Sequence, residues 1–161
     1  MLSFDMAKPP GRTHRYYTGT PQWPFGFGLA YAATSLRARP LVSGAIEATV
    51  ANEDATRETD EVVFLFVVPA PGTLPTNVPA AALRRTLAAF ERRGRIAPGA
   101  SATLSFHPTP DMVRLHDAEG QPLLQQGAYD FIVSTGAAAS EVRLRYECDA
   151  SLCRPAQRAA A

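Results

Sequence analysis

The sequence predicts an all-β fold, an antiparallel sandwich, and three observations carry that expectation. Short segments of alternating apolar and polar residues begin at about residue 30, and Gly- and Pro-containing turns bound them. One segment is instead apolar at consecutive positions, as a strand covered on both faces requires. A chain of 161 residues, 46% hydrophobic and 19% charged, suits one globular domain with a single core.

Residues 1–29 come first and are read as an ordered linker. Pro9, Pro10, Pro21 and Pro24 break any helix or central strand there. Its apolar side chains, among them Tyr16, Tyr17, Trp23, Phe25 and Phe27, are too many for a free tail and need a surface to lie on. Residues 30–147 form the sandwich, and residues 148–161 are expected to be a tail with a frayed end at 159–161.

Four segments of the sandwich alternate. In 45–51 the inward set is Ile46, Ala48 and Val50, and in 101–107 it is Ala102, Leu104 and Phe106. Residues 127–134 place Tyr129, Phe131 and Val133 on one face. In 141–146, Val142, Leu144 and Tyr146 point inward and Glu141, Arg143 and Arg145 outward, the pattern of strands solvated on one side. Turn chemistry separates them at 97–100, which contains Pro98 and Gly99, and at 118–121, which contains Gly120.

The fifth segment, 61–69, is apolar from Val62 to Val68, so both of its faces must be covered. One face meets the core. The other, with Val62, Phe64 and Phe66, is expected to stand exposed in an isolated domain and to mark a missing partner surface, a route to self-association. In 80–95, Ala and Leu favour a helix, with 79–87 its strongest part.

Charge excludes broad classes of partner. Sixteen basic residues against fifteen acidic leave a formal net charge of +1, so no global field recruits nucleic acid or an anionic membrane. The run Arg84, Arg85, Arg92, Arg93 and Arg95 has only Phe90 interleaved, a poor platform for bases. No apolar run reaches the roughly 20 residues that span a bilayer. Residues 1–11 lack the apolar stretch of a secretory leader.

Candidate ligands for a metal are sparse. Glu53, Asp54, Glu58, Asp60 and Glu61 cluster before a strand, where a solvated turn is the expectation and calcium the alternative. His14, His107 and His116 share no metal spacing and are read as surface or edge histidines. Cys148 and Cys153 are read as free thiols in the tail, with a local disulfide as the alternative. No metal and no cofactor are called for.

One stretch has a specific counterpart. Gly11-Arg12-Thr13-His14-Arg15-Tyr16-Tyr17-Thr18-Gly19, followed by Trp23-Pro24-Phe25-Gly26-Phe27-Gly28-Leu29-Ala30-Tyr31, resembles the "GRTYRFYTG … YPFGYGLSY" linker of family 3 glycoside hydrolases, above all the β-xylosidase and arabinofuranosidase branch. In the same order come Thr59-Asp60-Glu61-Val62-Val63, Leu87-Ala88-Ala89-Phe90-Glu91-Arg92, the Ile96–Thr103 segment and the Gln126–Val133 segment. The resemblance covers roughly residues 8–147. It departs where Phe64 and Phe66 replace a usual Gln and Tyr, where Ala89 replaces a Gly, where His14 replaces a Tyr, and where Gly94-Arg95 looks inserted.

The resemblance implies an immunoglobulin- or fibronectin type III-like antiparallel β-sandwich with an extended amino-terminal linker. It also implies that the catalytic chemistry lies in upstream domains. Family 3 enzymes are retaining glycosidases, which need two carboxyl groups about 5 Å apart. The family's nucleophile sits in a Ser-Asp-Trp context that this sequence lacks, so no residue inherits a catalytic role. The expectation is an accessory, structure-stabilising domain that hydrolyses nothing alone, partnered by those catalytic domains. A free-standing module that binds carbohydrate or protein is the alternative. Arg12, Arg15, Tyr16, Trp23, Phe25, Phe64 and Phe66 are the candidates for interdomain or cleft-edge contacts. Members are often exported, so the compartment stays open.

Overall fold

The computed structural model describes residues 5–74, 85–116, 120–136 and 140–156. A four-residue helix, α1 (Thr13–Tyr16), precedes a run of strands: β1 (Thr34–Pro40), β2 (Ile46–Asn52), β3 (Thr59–Pro69), β4 (Thr86–Ile96) and β5 (Ser101–Phe106). A 3-10 turn at Pro110–Val113 leads to β6 (Leu115–His116), β7 (Pro122–Leu123), β8 (Gly127–Ser134), β9 (Glu141–Cys148) and β10 (Cys153–Pro155).

Two antiparallel sheets face each other. The smaller runs β1-β2-β5 and the larger β10-β9-β8-β3-β4, with β6 and β7 as a separate pair. Alternation explains the inner faces: Ile46, Ala48 and Val50 of β2 are fully buried, as are Val63 and Leu65 of β3 and Phe131 and Val133 of β8. Outward, β2 and its neighbours pair polar side chains, with Arg39 bonded to Glu47 at 2.7 Å and the Thr49 and Thr103 hydroxyls 3.3 Å apart.

Two buried tyrosines tie the chain together. The Tyr129 hydroxyl donates to the Gln125 carbonyl at 2.6 Å, the tyrosine-corner arrangement of immunoglobulin-like sandwiches. The Tyr146 hydroxyl crosses to the Ala45 carbonyl at 3.4 Å, linking the larger sheet to the smaller. Burial pushes both phenols up to about 12. The fold is an all-β, fibronectin-like sandwich.

Three expectations need correction. The helix over 80–95 does not form across its described half: residues 86–96 are strand β4, and 79–84 fall outside the described residues. Ala and Leu favour a helix only weakly, and antiparallel pairing with β3, which sets Phe90 opposite Phe64, overrides them. Gly94-Arg95 is absorbed as a β-bulge opposite Asp60, whose carboxylate accepts the Arg95 N–H at 2.8 Å and pairs with Arg92.

The second correction concerns the cysteines. They are not free: Cys148 and Cys153 form a disulfide with Cα atoms 4.1 Å apart. Strand β9 runs on to Cys148, a turn held by the Asp149 carboxylate on Ser151 N and Leu152 N reverses the chain, and β10 returns antiparallel with Cys153 directly opposite. Residues 153–155 are thus hydrogen-bonded to the larger sheet. The end at 159–161 and residues 118 and 119 of the turn at 118–121 lie outside the described residues.

The third is the outer face of the central strand, which is not bare. Phe64 is 5% exposed and Phe66 fully buried, and with Ile132 they form a second apolar cluster on the side of the larger sheet away from the core.

Candidate functional site

The cover over that cluster comes from the linker. Residues 8–18 close on themselves, with Thr18 N–H donating to the Pro10 carbonyl at 2.9 Å and Arg12 N–H to the Met6 carbonyl at 3.0 Å. The loop carries α1 and sets His14 over Phe66, their ring centroids 5.8 Å apart. A turn at 24–27, closed by Phe27 N–H to the Pro24 carbonyl at 3.0 Å, then lowers Phe25 onto the sheet. The Phe25 ring sits 4.4 Å from His14, 5.3 Å from Phe64 and 5.9 Å from Phe66.

Two glycines make that approach possible. Gly26 and Gly136 meet backbone to backbone, and a Cβ on Gly136 would lie 2.7 Å from the Gly26 carbonyl oxygen and 2.8 Å from its Cα. Both have positive φ, +88° and +86°. The linker is therefore seated on the sheet, and no outside partner is needed to bury Phe64 and Phe66.

Between linker and sheet runs an open groove of about 570 Å³. Trp23, Tyr17 and Pro21 form its linker wall, and Val68 and Ile132 its apolar floor. The Arg85 guanidinium carbon lies over Phe66, 4.2 Å from the ring centroid, and Arg85 donates to Glu141 at 2.6 Å. Beside it Arg143 donates to Asp130 at 2.9 Å, and Arg145 reaches the same carboxylate at 2.5 Å. Although buried, Asp130 is held below its usual value by these two guanidinium groups, whose bonds outweigh the burial. His14 is also held below its usual value, by burial first and then by Arg85 and Arg15, so it is uncharged at neutral pH.

The candidates separate into three positions. Phe25, Phe64 and Phe66 meet in one aromatic cluster. Arg12, Arg15 and Tyr16 are half-buried around α1, with the Arg15 guanidinium 5.6 Å from the Tyr16 ring and its Nε buried without a hydrogen-bond partner among the described residues. Trp23 is 64% exposed and stacks on Phe27 at 4.7 Å. Arg85, Asp130, Glu141 and Arg143 were not foreseen as a group. The outward arginines of β9 were visible as an alternation, but only the fold brings residues 85, 130 and 141 beneath the linker.

The remaining candidates disperse. Glu53 bonds Ser35, Asp54 caps its own turn through Thr56 N and Arg57 N, and Glu61 is buried with one oxygen on the Thr34 hydroxyl at 2.5 Å. Burial raises the Glu61 carboxyl above its ordinary value. Among the described residues, no three His, Cys, Asp or Glu side chains converge as a metal site. His107 and His116 are exposed, whereas His14 is half-buried against Phe25 rather than free at the surface. The basic run is paired off, Arg92 with Asp60, Arg93 with Glu91 and Arg95 with Glu58. No helix among the described residues is long and apolar enough to cross a membrane.

Comparison with known proteins gives this geometry its context. No family model matches the chain. It is 27% identical to the exo-1,4-β-xylosidase xlnD of Emericella nidulans over 78% of its length, and 29% identical to a probable exo-1,4-β-xylosidase of Aspergillus terreus over the same share. Its relatives are family 3 glycoside hydrolases. A solved family 3 exo-β-xylosidase, XlnD, superposes with a TM-score of 0.64 at 24% identity over 88% of this chain. The β-glucosidase of Listeria innocua does so with a TM-score of 0.65 at 17% identity over 91%. The chain spans only 18% of each fungal enzyme's length, and 20% and 22% of the two solved family 3 chains.

Proposed function

We propose that this chain is the accessory sandwich of a family 3 glycoside hydrolase acting on β-xylosides or β-glucosides. In this reading it stabilises the enzyme's catalytic domains, which lie upstream of the linker, and hydrolyses nothing alone. The observation that carries the reading is the match itself: most of this chain aligns with under a fifth of each fungal xylosidase. A surface suited to such docking remains after the linker is seated. Phe27, Leu29, Tyr31 and Phe90 are large, apolar and exposed, and Tyr31 is 95% so. Arg12 and Arg15 flank the seated loop as candidates for fixing a carboxylate of the partner domain.

Two measurements test this. The purified chain should leave aryl β-xylosides and β-glucosides intact, and steady turnover by it would overturn the claim that it is inactive alone. The matching segment of the Emericella nidulans xylosidase should be needed for that enzyme's thermal stability, and this chain spliced in its place should restore it. A deletion that leaves melting and activity unchanged sinks the stabilising role.

A further inference from the structure

The groove under the linker has the chemistry of a ligand site that accessory packing does not require. Its charged groups are held in place by pairing within the fold: Arg85 with Glu141, and Arg143 and Arg145 with the one carboxylate of Asp130. His14 at its edge carries no charge at neutral pH. A wholly apolar ligand would strip water from these charged groups without replacing its hydrogen bonds. What the groove offers is a fixed set of donors and acceptors beside one broad aromatic face. That face is the indole of Trp23, solvent-facing yet held by its stack on Phe27. The volume, about 570 Å³, lies within the range of small-molecule sites.

A molecule matched to both halves has an apolar C–H face and a ring of uncharged hydroxyls. We propose that the groove bounded by Trp23, Tyr17, His14, Arg85, Glu141 and Arg143 binds a pyranosyl oligosaccharide, one sugar face lying on the Trp23 indole and its hydroxyls bonding the Arg143 and Glu141 side chains. Arg85 serves as a positioning residue, since its guanidinium is pinned between Phe66 and Glu141. This goes beyond the accessory role, because it gives the sandwich a sugar contact of its own and stands on the groove alone.

Trp23 is the single tryptophan of the chain, so its fluorescence reports on this groove directly. Titration of the full chain with xylobiose or cellobiose should give a saturable change in emission. By calorimetry, Trp23→Ala should weaken xylobiose binding at least tenfold, and Arg143→Ala at least fivefold. Both side chains are largely exposed, and Asp130 keeps Arg145 when Arg143 is lost, so melting should be unchanged and folding is not confounded. No saturable response to either disaccharide, or binding indifferent to Trp23→Ala, would overturn the proposal. None of these outcomes bears on turnover or on the spliced xylosidase, so the accessory reading stands or falls separately.

Discussion

Gly136→Ala should release the linker from the sheet, and its cost can be worked from the contact it breaks. The new Cβ would lie 2.7 Å from the Gly26 carbonyl oxygen and 2.8 Å from its Cα, backbone atoms that cannot rotate away as a side chain would. Residue 136 also sits at φ +86°, where a side chain costs about 1–2 kcal/mol. If the linker lifts, Phe25, 39% exposed when seated, loses most of its burial, about 1–2 kcal/mol, and uncovering Phe64 and Phe66 adds a similar amount. The total is about 3–6 kcal/mol. Gly28→Ala is the control, because it shares the positive φ, +82°, but nothing lies within 4 Å of its Cβ position, so it should cost only about 1–2 kcal/mol. Urea unfolding followed by circular dichroism gives both numbers, and Trp23 emission reports whether the linker has left its seat. Equal losses for the two variants would refute the claim that close backbone approach holds the linker down.

Other perturbations address separate parts of the fold. Asn52 is buried, donates to the Arg57 and Ile96 carbonyls at 2.7 and 3.0 Å and accepts Asp54 N–H at 3.0 Å, so Asn52→Ala should cost about 2–4 kcal/mol in urea unfolding. Cys148→Ser, or a reductant on the parent chain, should cost about 2 kcal/mol because the bridge closes only a short loop, and an unchanged melting temperature under reductant would deny the bridge. His14 is held below 6.5 in the folded protein, so as pH falls through 6.5 the unfolded chain takes up a proton before the native one does. Stability should therefore drop as pH falls through 6.5 and level off once pH is below the folded value. His14→Tyr should flatten that part of the profile.

Local sequence reported local structure well. The alternation in 45–51, 101–107, 127–134 and 141–146 marks four strands whose inward residues are those the pattern names, because one buried face imposes a period of two. The apolar run of 61–69 marks the doubly covered central strand. What the pattern could not supply was the identity of the cover. Nothing in a local window says that Phe25 lies on Phe64, since that contact depends on two glycines 110 positions apart meeting in space. Strand β1 was missed because Leu36 and Ala38 are only partly buried and arginines interrupt them. The disulfide had one readable sign, the acidic Asp149 able to close a turn between the cysteines, but its geometry required strand β9 to reach Cys148. The groove was the least readable part, as its members come from residues 13–25, 68, 85, 132 and 141–143.

The seat of the linker changes what kind of joint this segment can be. A Gly- and Pro-rich stretch before a sandwich ordinarily acts as a tether, leaving the domain to swing. Here His14 and Phe25 of that stretch pack on the larger sheet and share its aromatic cluster, so the sandwich and its leading segment turn together as one lever. Anything joined on the amino-terminal side meets the sandwich at a fixed bearing, set near Arg12 rather than at the first strand. A push on that side is delivered straight to the central strand, through Phe25 and Phe64.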